Sequence, residues 1–526
     1  MKVVHSSEKN NPTSAVLQQD RSPEQLAQKI EQLSRQMQEL VTLGAAQGES
    51  FDSIERGAWE MVLKTGFYAM ELFVKLQGTG DLGKQVVSDD QQTLLRGSQP
   101  TPTVVRSIFG EHVFEQYTYS PGKNKKISLY SVSARMQLPE HRWSYLLQEF
   151  SQIFCIDQAF NQAADNLETV FGKPFSVDTL EQTNQRMGIQ ARAFLDLLPI
   201  PAKKDEGRLL VASADCKGVP LVKEDAAQVT AFETAKKRPG NRRMATVTSA
   251  YTVDPHVRTA EQVTAALFRD KPAAESKSRK RRKRPQPRHK HTTAHFPTIF
   301  QDDDREVPIS GIHEGMAWLA DQVDVRRRKQ QTLILLMDGQ ASLWDVADLH
   351  FHGDQRLVEI LDIIHVSSYV WEASSLFHQS MEMRKVFTRE RLLKILKGET
   401  SGVIRGLLRM GSLHHLKGQK RKDLQRICGY FQKHRDRMCY DEYLAAGYPI
   451  ASGVIEGACG HLVKDRMERS GMRWTLEGAR SMLNVRAVFQ SDYWDQFCKQ
   501  RITQLAAIVH PHRNLVGNYT PLTLAC

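Results

Sequence analysis

The run LLVASADCKGVPL, residues 209–221, decides how the rest of the chain is read. Leu209 to Ala214 are apolar or small, as a strand buried on both faces requires, and strand 207–214 is expected to end at Asp215. A carboxylate there is costly to bury unless a countercharge meets it, and a divalent metal ion meets it well. The pattern recurs in TLILLMDGQASLWD, residues 332–345, where strand 332–337 is expected to end at Asp338. A third acid, Glu456, lies in PIASGVIEGACGHLVKDRMERSGMRW, residues 449–474, near the start of an expected helix 454–469. These acids are 123 and 118 residues apart, so a site built from them draws distant parts of the chain together. Two aspartates from strand ends and a glutamate from a helix are the oxygen donors that two Mg²⁺ ions use to clamp a phosphodiester. Alone, Glu456 reads as an early-helix acid favoured by the helix dipole. Beside two strand-end aspartates it reads as a ligand, with Lys464, Arg466, Arg469 and Arg473 following as phosphate contacts.

Outward from these runs the pattern is α/β. Strand 244–252 is expected antiparallel to 207–214, helix 341–350 follows Asp338, and strand 357–364 runs up to His365. Gly339 leaves room beside Asp338 for a backbone or phosphate. From Trp371 onward the chain is helical, an insertion over 371–445 between the second and third acids. Trp371 itself reads either as a core residue or as a platform for an unpaired base. Within the expected loop 271–295, residues 277–290 (KSRKRRKRPQPRHK) hold nine Lys or Arg with two prolines, so no core forms there. It reads as a solvated linker or, more in keeping with its density, as phosphate contacts through Arg281, Arg282, Lys283 and Arg284 without sequence preference.

The amino-terminal half is different. Residues 1–21 are polar and expected to be disordered. Ser22-Pro23-Glu24-Gln25 is a capping box with proline at the first helical position. Leu26, Ile30, Leu33, Met37 and Leu40 then form an a/d seam, with Gly44 as a stop, suited to packing on its own domain or to dimerisation. A second helix is expected over 54–76, completing a helical region 22–100. Region 101–200 combines a β-ribbon around Pro121-Gly122-Lys123-Asn124 with two helices about Gly172-Lys173-Pro174-Phe175, the outline of a helix-turn-helix and of any helical hairpin. An α/β domain follows over 205–495, and 496–526 is a tail.

Composition agrees with a polyanionic partner: the net charge is +12, and hydrophobic residues at 40% are enough for several cores. The seven cysteines include no CxxC pair, which argues against a zinc finger or a disulfide framework. No apolar leader opens the chain and no run approaches a membrane span, so a soluble intracellular protein with no membrane partner is expected.

ADCKGVPL, LLMDGQASLWD, ILDIIHVSSYVWEA (residues 360–373) and YPIASGVIEGACGHLVKDRMERSGMRW together resemble the DDE transposases of bacterial insertion sequences, in particular the ISKra group, which is similar in layout to Mutator-like transposases. The resemblance runs from about residue 50 to 495, and its last motif is the most specific. It implies a ribonuclease H-like catalytic core with an α-helical insertion, and Mg²⁺ (or Mn²⁺) as two ions per site. Asp215, Asp338 and Glu456 become the catalytic, metal-holding triad. Its implied partners are double-stranded DNA, both terminal inverted repeats and target, bound by a homo-oligomer. Relatives also carry a C/D-x2-H motif, here Asp362-x2-His365, which makes Asp362 the rival second metal ligand and His365 an accessory residue. Two departures stand out. Cys216 follows Asp215 where relatives tend to have glycine, and paired amino-terminal cysteines are absent, leaving end recognition to helices such as 157–192. Two other readings of the same residues are a DNA-binding regulator without catalysis and a nuclease that cuts but never joins.

Overall fold

The computed structural model describes residues 21–232, 240–270, 284–302, 305–469, 471–517 and 519–524. The chain is a mixed α/β protein of two units, one made of Met1–Cys155, Phe160–Leu180 and Cys498–Cys526, the other of Ile156–Ala159 and Glu181–Phe497. Among the described residues no helix is long and apolar enough to cross a membrane.

In the first unit the capping box forms as read: the Ser22 hydroxyl accepts from the Gln25 N–H, and the Gln25 side chain accepts from the Ser22 N–H. The helix runs over Pro23–Gln47, past the expected stop at Gly44. A Cβ at Gly44 would lie 2.2 Å from Cδ1 of Ile54, so this glycine lets helix Phe51–Leu76 approach, and Gly48 at φ 69° ends the helix. Leu26 and Leu33 are buried and Leu40 rests over Gly57, so the a/d seam packs within its own hairpin. Strands Thr101–Ser107 and Gly110–Gln116 pair as a hairpin, and the turn at 121–124 falls between strands Thr118–Ser120 and Leu129–Tyr130. Helix Phe160–Phe171 ends at the turn at Gly172, which takes φ 66°, and the helix that follows, Val177–Asp196, belongs to the first unit only as far as Leu180.

The second unit is built on five strands: β1 (Leu209–Pro220), β2 (Arg242–Val253), β3 (Arg288–His295), β4 (Thr332–Met337) and β5 (Leu357–Leu361). Their order is β5-β4-β1-β2-β3. β1 pairs antiparallel with β2 and β2 with β3, while β4 and β5 run parallel to β1. Strand β3 falls inside the expected loop 271–295 and corrects it. Polar composition concealed it, because its buried side chains include His291, Thr292, Thr293 and His295. His291 bonds Gln322 at 2.7 Å and the Tyr493 hydroxyl at 3.0 Å, the Thr292 hydroxyl bonds that of Ser249 at 3.3 Å and His295 bonds Arg192 at 3.0 Å, and burial pushes the His291 imidazole down to about 4. Arg281, Arg282 and Lys283 lie outside the described residues; Arg284 is exposed just before β3.

Leu209, Val211, Tyr251, Ile334, Leu336 and Ile360 share one sheet face and pack against a helical block. That block comprises α3 (Ile363–Phe377), α4 (Met381–Leu396), α5 (Thr400–Leu413), α6 (Gly418–Lys433) and α7 (Tyr440–Ala446). It begins at Ile363 rather than at 371, because the strand stops at Leu361 and Asp362 caps the helix. α1 (Gly311–Arg326) packs on β1 and β2, and α2 (Ala341–Phe351) follows β4. After the helical block come α8 (Gly453–Ala458) and α9 (Leu476–Gln490), the latter against β3.

A buried ion pair ties α1 to the sheet. Arg326 meets both carboxylate oxygens of Glu206 at 3.1 Å and donates to the Ala250 carbonyl at 3.1 Å, while the Thr252 hydroxyl donates to Glu206. Removing one partner strands a buried charge. Glu206→Ala is therefore expected to lower unfolding stability by about 3–5 kcal/mol; a denaturation midpoint matching wild type would show that the clamp contributes nothing.

Candidate active site

The acids collect where the parallel part of the sheet ends. The β1–β4 pairing stops at Ala212 and Leu335, and β4 and β5 stop in register at Met337 and Leu361. Asp338 and Asp362 are therefore the first residues beyond adjacent strand ends, and the Asp362 N–H donates to the Met337 carbonyl at 2.9 Å. The carboxyl ends of parallel strands are where open α/β sheets hold ligands. Asp215 is not at a strand tip, since β1 continues to Pro220 against β2. It sits three residues beyond the last β1–β4 pair, where the edge facing β4 is no longer covered. Glu456 arrives on α8 and His365 on the first turn of α3.

These groups face one another. Ligand-capable atoms of Asp362, His365 and Glu456 all lie within 4.8 Å of one another. Burial pushes the Asp338 carboxyl up, and the charges of Asp215 and Asp362 push it further, against the Gln340 N–H and His365. Burial also raises Glu456, reinforced by Asp362 and Asp215 and opposed by His365. Four carboxylates thus share one region with the His365 imidazole, and among the described residues neither Asp338 nor Glu456 forms an ion pair with Lys or Arg. Such crowding is what a divalent cation relieves. The carboxylate oxygens are donors that suit Mg²⁺ and Mn²⁺ alike.

The four acids are not equivalent. Asp362 is fully buried and committed to the protein: Oδ1 accepts from Ile364 N–H at 2.9 Å and Ser452 N–H at 3.3 Å, and Oδ2 accepts from the Ser452 hydroxyl. It fastens the start of α8, and so Glu456, to the end of β5. Among the described residues Asp338 accepts through Oδ1 from the Gln340 N–H at 2.9 Å, and the Trp344 indole holds its carbonyl at 2.6 Å. Asp215 accepts from the Cys216 N–H at 2.7 Å and from the Cys459 thiol at 3.4 Å.

Both thiols beside Asp215 are held protonated. Burial, with Asp215 and Asp338 nearby, pushes Cys216 up to about 11 against hydrogen bonds to Thr246 and Gln340. Burial and Asp215 push Cys459 higher still. The environment of Cys216 thus disfavours its thiolate form. Cys459 was not among the residues singled out by pattern; its signal is the i, i+3 spacing from Glu456, which puts both on one helix face. After α8 the chain is wound as π-helix over Cys459–Lys464, a local widening common at functional sites. The buried Arg486 of α9 braces it, donating to the Leu462 carbonyl at 2.9 Å, to the His461 carbonyl, and to Asp157 at 3.0 Å.

Of the expected phosphate contacts, Lys464, Arg469 and Arg473 are not buried. Arg466 is fully buried with its guanidinium 4.6 Å from the Trp474 ring, so it packs the fold rather than meeting a phosphate. Gly339 makes room for protein: a Cβ there would fall 2.1 Å from Cε2 of Tyr430, which stacks on Tyr369 at 4.0 Å. Burial, with Tyr369, Asp338 and Asp362 behind it, keeps the Tyr430 phenol protonated. Trp371 is half-buried and lines a hollow of about 430 Å³ with Phe268 and Lys385.

No family model and no curated protein sequence matches the chain. Among solved structures it is similar to the Drosophila P element transposase strand transfer complex, with 11% identity and a TM-score of 0.23 over 71% of this chain and 88% of that one. A likeness at that level decides nothing about the fold.

A carboxyl whose folded pKa is raised binds more protons in the fold than when unfolded, so its contribution to stability falls as pH rises between the two values. Without metal, Asp338→Asn is therefore expected to unfold at a higher temperature than wild type near neutral pH, the gap closing as pH falls to about 4. Mg²⁺ or Mn²⁺ at about 100 times its Kd should add about 2.7 kcal/mol to wild type and less to the variant. Equal midpoints in EDTA together with no metal-dependent shift would contradict a cation site.

Proposed function

We propose that this chain is a DDE transposase of an insertion sequence, of the ISKra type, which binds element ends and cuts and joins DNA at the carboxylate cluster. The observation that carries this reading is the meeting of Asp215, Asp338 and Glu456, from elements 123 and 118 residues apart, at one end of the sheet beside Asp362 and His365. A ribonuclease H-like core is supported by the order β5-β4-β1-β2-β3 with β2 alone antiparallel to the rest. The block of five helices α3–α7, between Asp362 and Glu456, supports a helical insertion.

In this reading Asp215, Asp338 and Glu456 hold two Mg²⁺ or Mn²⁺ ions, which when bound stabilise charge on the phosphodiester oxygens. Asp362 acts mainly as organiser, because Ile364 and Ser452 occupy its oxygens. Cys459 orients Asp215 through its S–H, and His365 offsets negative charge beside Asp338 and Glu456. Water attacks the phosphodiester at an element end and releases a 3′-hydroxyl. That hydroxyl then attacks a target phosphodiester, displacing the target's own 3′-oxygen. Lys464, Arg469 and Arg473, on the accessible side of the segment after Glu456, meet backbone phosphates. Two ends must be held together, so the working species is a homo-oligomer on double-stranded DNA, with terminal inverted repeats and target both bound. Its place is the nucleoid of a bacterial cytoplasm.

The test is cleavage of a labelled duplex carrying the flanking element's end. Nicking is expected with Mg²⁺ or Mn²⁺ and not with EDTA, and Asp215→Asn should lower its rate at least about 100-fold while DNA binding persists. A variant that nicks at the wild-type rate would sink the assignment. Products joined to a second duplex separate a transposase from a nuclease that only cuts.

A further inference from the structure

Two hollows flank α8, the helix that carries Glu456. One, of about 290 Å³, is lined by His256, Arg258, Arg284 and Gly453. The other, of about 320 Å³, is lined by Lys290, Gly453 and Gly457. Gln286, Pro287, Gly453 and Val454 line both, which makes them one groove along the helix.

The groove is lined by more cations than acids, Arg258, Arg284 and Lys290 against Asp254. Arg258 is partly buried and donates to carbonyls, that of His256 at 3.1 Å and that of Tyr448. Neither Arg258 nor Arg284 pairs with a carboxylate among the described residues. The acid lining the first hollow, Asp254, is already engaged by Arg288 at 3.1 Å and Arg208 at 3.9 Å. Burial and the neighbouring Arg284 push the Arg258 guanidinium down to about 10, and both arginines also act against a charge on His256. Like charges gathered in a hollow are unfavourable unless an anion enters.

The helix beside them is also shaped for an occupant. Gly453 and Gly457, one turn apart, have nothing within 4 Å of where a Cβ would stand. No packing among the described residues accounts for these glycines, and their bare backbone allows close approach.

We infer that this groove is a phosphate site that takes the backbone of one nucleic-acid strand along α8, with Arg258, Arg284 and Lys290 as the cations that meet it. The choice of a nucleic-acid strand rests on the proposed function; the phosphate chemistry stands on the groove itself. Two hollows in series suit consecutive phosphates better than one free ion. The groove meets backbone only and reads no base.

The test uses the full chain in EDTA, so that the carboxylate cluster contributes no bound metal. Binding of a short labelled single strand is followed by fluorescence anisotropy across a salt series. Arg284→Gln with Lys290→Gln, both exposed and so expected to leave the thermal midpoint unchanged, should weaken binding at least about 10-fold. The slope of log affinity against log salt should fall by about 0.7 for each phosphate no longer neutralised. Arg258→Lys, which keeps the charge and loses the fork to the carbonyls, should cost less than Arg258→Gln. Unchanged affinity and slope in the double variant would overturn the groove, and would leave the proposed function intact if wild type still nicks. Wild type that never nicks, together with the expected loss of binding, would keep the groove and remove the proposed function. Displacement by inorganic phosphate with no effect of the substitutions on strand binding would assign the hollow to a free ion and overturn the strand reading.

Discussion

The constraint on which the larger unit depends is the mutual repulsion of carboxylates at one end of its sheet. Two unit charges about 4 Å apart repel by roughly 4 kcal/mol at the dielectric typical of partly buried sites. A fold with about 5–15 kcal/mol in hand cannot gather several such charges unless the framework holds them there. That framework is visible on both sides of the sheet. One face is packed by the helical block, and the other is clamped through Arg326 and Glu206. The nearby basic residues that are buried are tied elsewhere. Arg466 is over Trp474 and Arg486 is on the carbonyls of the π-wound segment. The cluster is arranged to be neutralised from outside.

Within the cluster the protein divides labour by hydrogen bonding. Asp362 has no exposed surface, and its oxygens cap α3 and hold Ser452, so its charge is committed to architecture. Asp338 and Glu456 keep more of their lone-pair capacity and carry the raised pKa values that repulsion and burial impose. Asp215 lies between, one oxygen on its own chain and one on a thiol. The same carboxylate type in the same region thus serves as cap, as crowded donor and as oriented donor, according to which N–H, O–H or S–H reaches it.

Charge outside the cluster has the opposite sign. The chain's surplus of +12 is not evenly distributed in its consequences, because cations that line α8 stand beside a helix whose own acid faces the cluster. A polyanion lying along that helix would satisfy the cations and bring its phosphodiester toward the acids. Each feature would then be met by an occupant of opposite charge, the groove by the polyanion and the acids by divalent cations.

How much of this was legible in the residues follows the range of the forces involved. The capping box at Ser22 and Gln25, the buried runs ending near Asp215 and Asp338, and the helices after Trp371 depend on neighbours a few positions away, and sequence pattern reports such neighbours. Strand β3 was hidden because its buried side chains are mostly polar, and His291 among them is met by Gln322 and Tyr493 from other elements. Gly44 and Gly339 read as a stop and a ligand gap but serve helix packing against Ile54 and Tyr430. Arg466 read as a phosphate contact until burial against Trp474 removed it. The identity and approximate order of the acids were thus determined by the sequence alone. Which of them became an organiser was decided only by the tertiary structure, through hydrogen bonds spanning 90 residues from Asp362 to Ser452 and 244 from Asp215 to Cys459. A carboxylate's role is set by the donors and charges within a few ångströms of it, and the chain brings those together only by folding.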